Sequence, residues 1–168
     1  MQTIRTVVTA ASAAALLAST AFVSPALATP GHGFAPSGIV TGHFGTLDVD
    51  SVWAPWEMHL TASPDSDVGA DRLTVQPGGE SGWHAHPSAV FVTVTQGSII
   101  WQNGSDPLCP KHTYTVGQSF IEQVGVNHNV RNASKTVGAE FVAIHINPTG
   151  TSGPGFRLDR ATPTNCKF

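Results

Sequence analysis

The chain has 168 residues, enough for one hydrophobic core and too few for two. Only 11% of its residues are charged, and it carries 17 Gly and 12 Pro, which with abundant Val and Thr argues against a helical protein and for turn-rich β structure. A formal net charge of −3 provides no basic field for a phosphate backbone, so no nucleic-acid partner is expected.

The N-terminus reads as a targeting segment. Residues 1–6 carry the single charge of Arg5, and 7–23 form an Ala/Leu/Val-rich run broken only by small hydroxyl residues. Ala26-Leu27-Ala28 places small residues at both positions an export peptidase reads, so 1–28 is expected to be a cleaved signal peptide and 29–168 a single domain acting outside the cytoplasm. The apolar run is short, interrupted by Ser and Thr, and followed at once by Pro30 and Gly31, so no membrane attachment is expected after cleavage. Cys109 and Cys166 make an even count, which in an exported protein reads as one disulfide tying the C-terminal tail to the loop before His112.

In chain order, 29–37 is Gly/Pro-rich and reads as a loose lead-in. Residues 56–61 alternate Trp56, Met58 and Leu60 with Glu57, His59 and Thr61; 64–69 reads as a polar turn; 72–76 alternates with Leu73 and Val75 inward. Val90, Val92 and Val94 alternate with Phe91, Thr93 and Thr95 and end at Gly97. Residues 98–102 follow, closed by the tight-turn pair Asn103-Gly104. Segments 112–116, 119–122, 127–132 and 139–147 complete the strands, and the tail from Pro148 reads as irregular. No stretch after the targeting segment sustains a helical spacing. Short strands at close intervals imply a closed barrel or a sandwich, because antiparallel sheets must hide their edges.

Chemistry concentrates in two places. In His84-Ala85-His86 the period of two along a strand puts both imidazoles on one face, as a metal requires of two nitrogen donors. A second segment runs from Gly117 to Asn132 and reads as a hairpin whose second strand carries His128.

With these two segments the sequence resembles the cupin superfamily. The family's first motif (Gly, five residues, His-x-His, a later Glu, six residues, Gly) is met by Gly78, His84, His86 and Gly97. The second (Gly, five residues, Pro-x-Gly, two residues, His, three residues, Asn) is met by Gly117, Gly125, His128 and Asn132. The resemblance implies an all-β cupin jelly-roll barrel holding one divalent transition metal, whether Zn, Mn, Fe, Ni or Cu, on His84, His86 and His128.

Two departures stand out. The family's glutamate falls on Val90 or Phe91, neither of which can bind a metal, and its proline is Gln123. Glu122 is the candidate replacement: a hairpin turning about Gly125 pairs it with His128 on the inner face, whereas a one-residue slip turns it to solvent. In the second case the site is three histidines alone, as in some thiol and diketone dioxygenases of the family.

Of the other histidines, His145 shares the inward parity of Phe141 and Ala143 and reads as a hydrogen-bonded sheet residue. His32, His43, His59 and His112 read as surface. The four tryptophans read as core, with Trp83 facing away from its neighbour His84. Arg131 is opposite in parity to His128 and is not expected to anchor a ligand, while Gln96 could add polar lining. The expected wall is apolar, from Val90, Val92, Phe120 and Val130, which suits a small ligand. Two functions remain open: metal-assisted chemistry of the dioxygenase, isomerase or lyase kind on a small molecule, and a non-catalytic barrel that binds a metal or small ligand. Assembly as a homodimer is equally open.

Overall fold

The computed structural model describes residues 28–151 and 156–166, so the expected signal peptide lies, apart from its last residue, outside the described residues. Twelve strands and no helix are described: β1 (His32–Phe44), β2 (Leu47–Trp53), β3 (Trp56–Ala62), β4 (Ser66–Glu80), β5 (His84–Ala85), β6 (Val90–Gln96), β7 (Ser98–Asn103), β8 (Lys111–Thr115), β9 (Ser119–Glu122), β10 (His128–Asn132), β11 (Ala139–Pro148) and β12 (Leu158–Asp159). Ten of them join one antiparallel sheet whose main path runs β12-β5-β10-β4-β11-β6-β9, with β1 added to β4 and β7-β8 added to β10. Rolled on itself, this sheet is the all-β jelly-roll barrel the sequence implies.

Alternation decides what goes inside. Val75, Val90, Val92, Val94, Ile99 and Phe141 point inward and are at most 3% exposed, whereas Phe91 between two buried valines is 44% exposed. Asn132 closes the second motif structurally: its side-chain amide donates to the carbonyls of Val75, Gln76 and Val137, tying three segments together. Outside the barrel wall, Trp83 is fully buried beside the Cys109–Cys166 disulfide, whose Cα atoms are 5.4 Å apart.

Several sequence expectations need correction. The lead-in is not loose: most of it belongs to β1, which pairs with β4 from His32↔Glu80 to Phe44↔Ser66. The turn expected at 64–69 is shorter, because Ser66 to Gly69 already pair as strand. Asn103-Gly104 does not close a two-residue hairpin. The β7–β8 ladder resumes only at Gln102↔Lys111, and the intervening loop carries Cys109 to its disulfide. The strand at 56–61 exists, but its tryptophan is not core. It pairs with β2 in a separate hairpin on which Trp53 and Trp56 are 81% and 54% exposed. Gln96 is exposed at its strand end and lines nothing. In the tail, Leu158 and Asp159 pair with β5.

Candidate metal centre

His84 and His128 are direct cross-strand partners, and His86 follows two residues later on the same face. All three are buried, and the distances between their ring centroids run from 4.3 to 5.1 Å. Each ring is fixed by a backbone carbonyl: Nδ1 of His84 donates to Gly82 O (2.9 Å), that of His86 to Phe156 O (3.0 Å) and that of His128 to Val126 O (2.8 Å). A carbonyl only accepts, so the hydrogen of each neutral ring sits on Nδ1 and the Nε2 lone pair is free. One donor atom from each histidine lies within 4.8 Å of the others. Such carbonyl-anchored rings are what metal-ligating histidines ordinarily show. Gly82 makes the bend possible, with φ at +71°, and any Cβ there would strike the backbone of Thr29.

Glu122 reaches the same place by a route the sequence reading missed. The strand β9 does not pair with β10 at all; it pairs with β6, with Glu122 opposite Val90. Because Val90 points inward, its partner across the ladder does too, and Glu122 is 4% exposed. Its carboxylate oxygens lie 3.1 Å from His128 Nε2 and 3.2 Å from His86 Nε2. The position that the family resemblance assigns to glutamate is thus a valine, and the carboxylate arrives from the neighbouring strand, opposite that valine.

Electrostatics make this cluster incomplete on its own terms. Burial would raise the Glu122 carboxyl, but the neighbouring imidazoles of His128 and His86 outweigh it and hold the group well below the usual carboxylate range. Burial lowers His128, and here Glu122 prevails and raises it; burial together with His128 and Arg157 holds His84 well below its ordinary value. Yet His128 Nε2 is buried with no aligned hydrogen-bond partner despite lying 3.1 Å from the carboxylate. With its hydrogen on Nδ1, Nε2 meets Glu122 as acceptor against acceptor. A cation between them, a proton or a metal ion, resolves the conflict. The donor set of three imidazoles and a carboxylate suits a borderline divalent metal, so these residues fit one.

A cavity of about 420 Å³ opens onto the cluster through His84, His86 and Glu122. Its wall only partly follows the expectation. Val90 and Val130 line it, but Val92 and Phe120 do not: Val92 is in the core, and Phe120 stacks on Tyr114. In their place stand Phe34, Leu73, Phe141 and Ala143, together with the polar Asp71, His145 and Arg157. His145 does face inward, as its parity allows, and it is hydrogen-bonded. Arg131 is bound to Glu80 (3.0 Å), and Trp83 lies away from the cluster, both as expected. His59 and His43 sit on the outside against Asp50 and Asp67. Phe156 and Arg157 were not foreseen at all, since an irregular tail gives no periodicity that would aim them.

A family comparison agrees with this architecture. Residues 71–145 match the family model described as cupin domain. Among solved structures, the chain is similar to a cupin domain from Bordetella pertussis (25% identity over 64% of this chain and 98% of that one, TM-score 0.42). It is also similar to oxalate decarboxylase from Bacillus subtilis (17% identity, 55% of this chain and 23% of that one, TM-score 0.47). A third likeness is to a sugar phosphate isomerase of the same superfamily from Silicibacter pomeroyi (22% identity, 49% and 51%, TM-score 0.41). No curated protein matches the sequence.

Proposed function

Because this chain belongs to the cupin superfamily, we propose that it binds one divalent transition metal through His84, His86, His128 and Glu122 and uses it on a small molecule admitted by the cavity. The observation that carries this reading is the set of three carbonyl-anchored imidazoles that offer donor atoms within 4.8 Å of one another, two of them, His86 and His128, beside a buried carboxylate. When bound, the metal would supply a Lewis acid or an oxygen-activating centre. The chain's own residues do the rest: the carbonyls of Gly82, Phe156 and Val126 hold the rings, and the apolar wall excludes water from the ligand's body. The chemistry is of the dioxygenase, isomerase or lyase kind. The disulfide supports action outside the cytoplasm, after cleavage of residues 1–28.

The test is the response of the cobalt-substituted protein to azide. An open coordination position predicts a changed visible spectrum on titration. A silent spectrum would mean a metal closed off by protein ligands, and the reading would pass to a non-catalytic binding barrel. Glu122→Gln separates the carboxylate's part from that of the histidines. Competition against a metal indicator should show affinity lower by roughly 10- to 100-fold, the usual consequence of disturbing a ligand or its immediate support. Unchanged affinity would make this a three-histidine site.

A further inference from the structure

A second polar station lines the cavity, and the metal site does not use it. Across β4, β11, β6 and β9 the row that contains Glu122 reads Gly69, His145, Val90, Glu122. The backbone of His145 therefore stands two strands, about 10 Å, from that of Glu122. Phe156 lies between the two stations, its ring centroid 4.4 Å from that of His86 and 4.2 Å from that of His145.

His145 is held on every side. Gly69 lies directly beneath the ring, where any Cβ would collide with His145 Cε1 and Nε2. Ser88 Oγ donates to Asn147 Oδ1, which turns the Asn147 amide nitrogen towards His145 Nδ1, 2.6 Å away. That nitrogen can only donate, so Nδ1 accepts and the ring hydrogen sits on Nε2, where it is donated to Asp71 Oδ2 at 3.1 Å. The reversed amide would set the Nε2 lone pair against the carboxylate, so the chain has a single consistent direction, from Ser88 to Asp71. Asp71 lines the cavity with a side chain 27% exposed, and among the described residues no donor reaches its Oδ1. The polar chain is satisfied up to its last member, whose remaining acceptor capacity is left to whatever fills the cavity.

We propose that Asp71 is a ligand-recognition group, with His145 as its positioning residue, and that the ligand carries a hydrogen-donating group, ammonium or hydroxyl, at the end remote from the metal. The inference rests on the metal reading above. It defines a bifunctional ligand: a metal-binding oxygen or nitrogen at one end, a donor for Asp71 at the other, and an apolar middle against Phe156, Leu73 and Phe141.

The test uses the cobalt-substituted protein and three series of alkanohydroxamic acids of increasing chain length: unsubstituted, ω-hydroxy and ω-amino. Hydroxamates chelate divalent metals, so every probe reports through the cobalt spectrum. In the wild type, at the chain length that spans the stations, a terminal donor should tighten binding at least tenfold over the plain chain, as expected for a bond to a charged acceptor. Whichever of the two donors gains more names the ligand's group. The advantage should vanish in Asp71→Ala and fall in His145→Leu and Gly69→Ala. His145→Gln, which can still donate to Asp71, should restore part of it. Structural damage would weaken all three series equally and leave their ratio intact. A terminal donor with no advantage in the wild type, or an advantage that survives Asp71→Ala, overturns this inference alone. Failure of the plain hydroxamate to bind overturns the accessible metal site, and this inference with it.

Discussion

Replacing His128 with alanine should leave the purified protein without bound metal, and should also destabilise the metal-free fold by about 3–5 kcal/mol, the usual consequence of stranding one member of a buried charge pair. The second effect follows from the surroundings of Glu122. In the wild type the carboxyl is buried, and His128 and His86 keep it ionised against that burial. With His128 gone the burial dominates more, and the carboxyl moves upward from its low position. A buried acid whose folded value is raised destabilises the fold above that value and ceases to do so once protonated. The deficit should therefore narrow as pH falls towards the ordinary 4.5 of the free side chain. Denaturant unfolding of metal-free wild type and variant across pH checks the stability, and elemental analysis checks the metal. His128→Ala combined with Glu122→Gln should recover part of the loss, since a neutral amide has no charge to strand. A single variant that kept a full equivalent of metal would remove His128 from the site.

Cys109→Ser should be nearly as damaging, and for an unrelated reason. The bridge joins residues 57 apart in sequence, and closing a loop of that length is worth about 4 kcal/mol on the chain-entropy account. Trp83 packs against the bridge and immediately precedes His84, so the bridge also backs the segment that presents His84 and His86. The expected result is a large drop in unfolding midpoint with a smaller loss of metal affinity. Alkylation of the unreduced wild type should find no free thiol. Two labelled cysteines in protein recovered from outside the cell would show that the bridge does not form there.

How much of this was legible in the sequence depends on what kind of signal each feature sends. The strands of the barrel announced themselves through alternation, because Val90, Val92 and Val94 face the core while Phe91, Thr93 and Thr95 between them face outward. The His84–His86 pair was legible for the same reason. The strand β1 was hidden because its Gly and Pro residues resemble a lead-in and most of its side chains are exposed; it is held by its ladder to β4 rather than by burial. The exposed hairpin of β2 and β3 was misread because a tryptophan in an alternating pattern looks like core whether or not anything covers it. Glu122 was placed correctly inside the barrel on a mistaken premise. Sequence neighbours suggested a β9–β10 hairpin, while the fold sends each strand to a different partner. The recognition station was least legible of all. Asp71, Ser88 and His145 come from three separate stretches of chain, and the strongest mark of their association, the missing side chain at Gly69, signals nothing until β4 lies beside β11.

The pairing of Val90 with Glu122 also bears on how such sites change over time. Relative to the family pattern, the carboxylate stands on the adjacent strand in the same row, so two substitutions separate the arrangements. One path passes through a barrel with glutamate at both positions, where like charges would stand directly opposite each other and destabilise the sheet. The other passes through a barrel with neither, in which three imidazoles hold the ion alone. That crossing carries no repulsion, so of the two double substitutions it is the one the sheet tolerates better.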